Sequence, residues 1–237
     1  MYQADEYTVL EMRVRSTYRL GGSDPTVHLR GSLWAVNTNP EGESLLAEVH
    51  ARRFIPHRLE AEMDVGDREL DLFELHDNHD QDTHELWTAI YNSENGIDFS
   101  STWTDEAAVD LEHTFGDVIL IEPVKTRLLF DNDWLEVVTL QAFLDDVEKD
   151  VGMTLVDMRS DSRDLTPEGR TLSRARVEFG TLGFAPRVHT FEGGDSIEFL
   201  FRCPQKVQPR AKLDIDEFSI VSLKERIEQN MRTRSIE

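Results

Sequence analysis

Between His76 and His84 the chain reads His-Asp-Asn-His-Asp-Gln-Asp-Thr-His, three histidines and three aspartates in nine residues. Imidazoles and carboxylates at that density are the donors of a divalent-metal site. On a continuous helix His76 and His79 would share a face, as would Asp80 and His84. The spacing matches no zinc signature, and no His-Glu-x-x-His is present. Asp and Asn also cap helices, so a solvated break between two helices accounts for the same residues. Cys203 is the sole cysteine, which excludes intrachain disulfides and thiolate clusters and fits a reducing cytoplasm. The chain has no Gly-x-Ser-x-Gly elbow, Walker A loop or Gly-x-Gly-x-x-Gly, and Gly193-Gly194-Asp195 reads as a turn.

The elements that would hold chemistry centre on Asp117 to Phe201. Val118-Ile119-Leu120-Ile121 is a short continuous apolar run, the pattern of a strand buried on both faces. From Trp134, the residues Val137, Leu140, Leu144, Val147 and Val151 recur at helical spacing, and Gly152 reads as the stop. Met153 to Asp157 is the next strand. Thr166-Pro167 opens a second helix with Leu172, Ala175, Phe179 and Leu182 on its inner face, and Gly183 ends it. Ile197, Phe199 and Phe201 alternate with Glu198, Leu200 and Arg202 in a last strand. Strand, helix, strand, helix, strand requires a sheet covered by helical crossovers.

Ahead of this core, strands are predicted over Tyr7 to Leu20, Val27 to Val36 and Leu45 to Ile55, joined at Gly21 to Pro25 and Asn37 to Gly42, as an antiparallel meander over 7–56. Arg13, Arg15, Arg30, Arg52 and Arg53 read as its solvated face. A helical region covers 69–91, and a polar loop with Trp103 follows. Beyond Cys203 comes a linker, then a stripe of Ile220, Leu223, Ile227 and Met231 that would pack on its own domain or form a homodimer contact. The reading is one domain over 1–203 with core 117–202, and a linker and helix over 204–237.

A net charge of −22 disfavours binding to nucleic acid and favours solubility and a basic protein partner. Only five of the 25 basic residues are lysine, a composition that suits high salt and equally an arginine-biased acidic surface. No run is long and apolar enough for a membrane span, and the N-terminus lacks a basic segment followed by an apolar one, so a cytoplasmic protein is expected.

The order of the core elements, with Arg174 to Phe184 ending in Phe-Gly-Thr-Leu-Gly-Phe, resembles the acyl-CoA-binding half of the GNAT superfamily of N-acetyltransferases, whose corresponding helix ends in Tyr-x-x-Leu-Gly-Phe. The resemblance covers Leu70 to Arg202. It implies a mixed α/β sheet with N-terminal antiparallel strands and a C-terminal helix, acetyl-CoA as cofactor and an amine as acceptor; no metal is expected, because His76 to His84 has no recognisable ligand spacing. Glu122, just after the central strand, would be the base. Val124, Thr126, Arg127, Asn132, Trp134 and Phe179 would contact the cofactor. The family's pyrophosphate loop carries glycines at a helix N-terminus, where backbone N–H groups reach the phosphates. Thr126 to Trp134 has no glycine, and Asp131 and Asp133 fall where phosphates would lie. Phe179 stands at the place of the family's tyrosine, whose hydroxyl protonates the leaving thiolate. Pro123 lacks an N–H that could bond a pantetheine arm. These departures make the rival expectation a non-catalytic acidic interaction protein on the same fold.

EDTA is expected to leave the thermal midpoint unchanged. A midpoint that drops in EDTA and recovers with zinc would make His76 to His84 a metal site.

Overall fold

The computed structural model describes residues 8–18, 26–38, 41–55, 117–127, 133–157, 179–191, 193–194, 196–204 and 225. The expected helical region over 69–91, the His76 to His84 stretch, the loop with Trp103, the start of the helix at Thr166 and the C-terminal stripe lie outside them.

Three long strands come first: β1 (Thr8–Tyr18), β2 (Thr26–Thr38) and β3 (Glu41–Phe54). They pair antiparallel in sequence order, and the β2–β3 ladder closes at Thr38 opposite Glu41. Alternation sets their faces. Val27, Leu29, Leu33 and Ala35 are buried, while Arg30 between them is exposed. One irregularity breaks the rule. The β2–β3 register shifts between Leu33 and Trp34, and Leu46 and Ala47, adjacent in sequence, share one buried cluster.

β4 (Asp117–Ile121) is buried at every position. It runs antiparallel to β3 and parallel to β6 (Val151–Asp157). Adjacent parallel strands need a crossover connection, and α1 (Asp133–Val147) lies in it. The sheet continues with the hairpin of β7 (Ala185–Thr190) and β8 (Ser196–Arg202), in the order β1-β2-β3-β4-β6-β8-β7. A two-residue strand, β5 (Lys125–Thr126), pairs with β3. The fold is a mixed α/β, strand-rich sheet with α1 packed on it.

α1 buries Leu135, Val137, Leu140, Phe143, Leu144 and Val147. Its Val137-Val138-Thr139 run costs a few tenths of a kcal/mol per residue in helix propensity. Burial stabilises by roughly 1.5–3 kcal/mol per large apolar side chain, so packing decides. The helix sits on β1, β2 and β3 because Gly31 lets it approach. A Cβ at Gly31 would come 2.6 Å from the Phe143 ring and 2.7 Å from Val49.

The helix ends earlier than its apolar stripe suggested. Val147 is its last residue, and Asp150 adopts a left-handed conformation (φ 61°) in the turn that follows. Asp tolerates that region better than most side chains. Gly152 is therefore not the helix stop. It lies inside β6, where the pairing jumps from Asp117–Val151 to Val118–Met153, as a bulge accommodated by a glycine.

Arg53 is also not on the solvated face. It shares a face with Val49 and Ala51, ion-pairs with Asp117, and donates to the carbonyls of Val147 (3.3 Å) and Lys149 (3.0 Å). A guanidinium there satisfies carbonyls at and just beyond the negative end of α1.

Gly183 does end a helix. Phe184 N–H donates to the Phe179 carbonyl, Gly183 N–H to that of Gly180, and Gly183 has φ 83°. This double bond with a left-handed glycine is a Schellman turn, and the Phe179–Phe184 ring contact at 6.3 Å is its apolar clasp.

In β8 the expected outward pair Leu200 and Arg202 is buried. Arg202 pairs with Glu148 (2.8 Å), donates to the Leu182 carbonyl (2.6 Å), and lies over the Phe184 ring at 5.5 Å. Thr154 donates to the same Glu148 (2.9 Å). This enclosed network joins α1's exit turn, β6, β8 and the Schellman turn.

Gly31→Ala should destabilise the fold by about 1–3 kcal/mol, since the added methyl must displace a ring and a β-branched side chain in a packed core. Urea denaturation measures it, and an unchanged midpoint would mean that α1 does not approach β2 this closely.

Candidate functional site

The site is built where β4 stops. Ile121 lies opposite Ala51, and Lys125 opposite Glu48. Four steps along one strand thus match three along the other, so residues 122–124 contain a bulge. Glu122 N–H donates to the His50 carbonyl (2.9 Å) before it, and Arg127 N–H to that of Leu46 (2.9 Å) after it. The chain stays bonded to β3 throughout, whereas its ladder with β6 ends at Ile121 opposite Val156. Pro123 falls in the bulge, where its missing N–H disturbs no ladder.

Glu122 has a side chain 41% exposed. One carboxylate oxygen is 3.8 Å from His50 Nδ1 and the other 3.9 Å from Arg52 Nη2. Both partners project from β3 away from α1, since Val49 and Ala51 beside them belong to the α1 core. His50 Nε2 is enclosed and makes no hydrogen bond among the described residues. A carboxylate beside an imidazole and a guanidinium, open to solvent, can accept a proton from a bound ligand.

On the same face Glu48 stands between two guanidiniums. It hydrogen-bonds Arg30 and lies 3.7 Å from Arg127. The Arg30 hydrogen bond holds the Glu48 carboxyl below its ordinary value of 4.5 against desolvation, with smaller help from the charges of Arg30, Arg127 and His50. At the outer strand Arg13 binds Glu11 (2.9 Å) and Glu43 (2.7 Å) and lies 5.0 Å from the centre of the Trp34 ring.

Of the expected cofactor contacts, Val124, Thr126 and Arg127 fall on this segment. Val124 packs against both core clusters, Thr126 is half-buried opposite Ala47, and Arg127 is exposed. Trp134 is in the first turn of α1, and Asn132 lies outside the described residues. Phe179 is apart from them. It is buried on the α1 side of the sheet with Leu140 and Phe143, on the face opposite Glu122. The sequence reading missed the part of His50 and Glu48 and treated Arg30 and Arg52 as plain surface. The available signal was Glu48-Val49-His50-Ala51-Arg52, which alternates polar with apolar. Among the described residues no group of histidine, cysteine and carboxylate side chains could hold a metal ion, and no helix is long and apolar enough to cross a membrane.

No family model, no curated protein and no solved structure matches the chain.

The depressed Glu48 carboxyl contributes stability that is complete above pH 4.5 and is lost as pH falls through its lower folded value. Carboxyl-carbon NMR titration should give a Glu48 midpoint below 4.5 that moves up in Arg30→Met. A midpoint unmoved by that change would contradict the pairing.

Proposed function

We propose that the protein is a divergent N-acetyltransferase of the GNAT type, which transfers an acyl group from acyl-CoA to an amine with Glu122 as general base. The observation that carries this reading is the fate of β4. Past Ile121 the chain bulges and follows β3, while the ladder with β6 stops. A ligand arm entering between the diverging strands would meet Glu122 at the point of separation.

The donors present suit an anionic, phosphate-bearing cofactor. Lys125 and Arg127 are exposed on the segment after β4, Val124 and Thr126 lie on the same segment, and Trp134 is in the first turn of α1. Acyl-CoA, when bound, supplies the thioester. Glu122 takes the proton that the amine loses as its N–C bond forms and the C–S bond breaks. The departing thiolate takes its proton from solvent, since Phe179, at the place of the family's tyrosine, lies in the α1-side core and carries no hydroxyl.

A second reading, a non-catalytic protein that binds a basic partner, draws on one specific feature. Phe179 packs inside the α1-side core rather than beside Glu122. The glycine-free approach to α1 points the same way.

Wild type should bind acetyl-CoA weakly in titration calorimetry, because Asp131 and Asp133 oppose phosphate at a helix N-terminus. About 1.4 kcal/mol per aspartate, after allowance for exposure, corresponds to roughly tenfold each. Asp131→Gly combined with Asp133→Gly should therefore tighten binding up to about a hundredfold. Glu122→Gln should then abolish most transfer while leaving that affinity intact. If neither wild type nor the double variant binds, the interaction-protein reading stands.

A further inference from the structure

The described sheet ends in two edge strands, β1 and β7. β7 is 6 residues long and carries Pro186, two features that blunt an edge. β1 has neither. It runs for 11 residues without proline or glycine and pairs with β2 with no break in register. Among the described residues, nothing bonds to its other side. A regular strand of this length with an open edge is a template for a further strand.

The order of side chains along β1 selects the strand that fits. One face carries Leu10, Met12 and Val14, half-buried beside the α1 core. The other carries Val9, Glu11, Arg13 and Arg15, all exposed. Consider β1 antiparallel to a second copy of itself, about a twofold axis at Met12. Leu10 then faces Val14 of the second copy, Met12 faces Met12, and Glu11 faces Arg13. By symmetry the apolar pair and the charge pair each occur twice. Arg15 falls diagonal to Glu11 of the second copy. Apolar and opposite-charge pairs directly across strands stabilise a sheet, and like charges destabilise it. An axis at Arg13 would set that residue against itself. Within one chain Glu11 and Glu43 share the Arg13 guanidinium (2.9 and 2.7 Å). A carboxylate accepts several hydrogen bonds, so Glu11 can take a second guanidinium from across the axis.

We propose that the β1 edge is a homodimer surface, on which a second copy of this chain pairs antiparallel about Met12 and joins the two sheets into one. The interface is isologous, so it closes at two copies. It uses neither the C-terminal stripe nor the reading of Glu122 as a base. The net charge of −22 on each copy opposes association, so the pairing needs salt to screen that repulsion.

The test is sedimentation equilibrium of the full chain in about 0.15 M salt, where the Debye length is about 8 Å. A concentration-dependent dimer of the 27.3 kDa chain is expected. Glu11→Arg and Arg13→Glu should each weaken it about tenfold or more, because like charges then face each other twice. An equimolar mixture of the two variants should dimerise again, since one copy presents two cations to the two carboxylates of the other. The double variant Glu11→Arg with Arg13→Glu restores opposite charges within one sequence and should dimerise as wild type does. Thermal midpoints check that each variant is folded, and the double variant carries the test if a single one is not. A chain that stays monomeric overturns the inference. So does a dimer that both single variants leave intact, or one that neither mixing nor the double exchange restores.

Discussion

The structure depends on burying β4. All five of its side chains are out of water, in the middle of a sheet. Such a strand must have a hydrogen-bonded neighbour on each edge and cover on each face. β3 supplies one edge antiparallel and β6 the other parallel. The parallel edge requires the crossover that contains α1, and the close seat of α1 requires Gly31. One apolar run of sequence thus constrains the meander before it and the crossover after it. The same strand ends beside Glu122, where its ladder with β6 stops and the chain stays bonded to β3.

Polar side chains then fix the ends of this assembly. Arg53 and Asp117 tie the start of β4 to the end of α1. Arg202, Glu148 and Thr154 do the same between α1's exit turn and the last strands. A buried ion pair gains little over an apolar replacement, yet losing one partner leaves an uncompensated charge and costs about 3–5 kcal/mol. Such pairs are therefore weak sources of stability and strict conditions on register. By contrast, the exposed pairs of the outer face, such as Arg13 with Glu11 and Glu43, are screened by water and salt and add little to stability.

Strands and the helix were legible where pattern and burial coincide. Val118 to Ile121 read directly as a buried strand, and alternation with Gly and Pro turns marked β1, β2 and β3. What the sequence hid were the positions at which one residue is slipped into a ladder. Bulges at Leu33–Trp34, at residues 122–124 and at Gly152 each change which side chains share a face, and none is visible from periodicity alone. Leu200 and Arg202 misled for a related reason: the sheet buries both faces of β8 near them, so alternation no longer separates inside from outside. Glu122 could be found because it ends an apolar run. Its neighbours His50 and Arg52 lie some 70 residues earlier in the chain, and only the β3–β4 register brings them together.

The account stands or falls on β4 lying between β3 and β6 and leaving β6 at the bulge. Backbone nuclear Overhauser effects test this directly. The account predicts parallel cross-strand contacts that pair Val118 with Met153 and Ile121 with Val156, and antiparallel contacts to β3 that resume at Lys125 opposite Glu48 with the register advanced by one. Antiparallel contacts between β4 and β6, or an unbroken register with β3 from Val118 to Thr126, would contradict it.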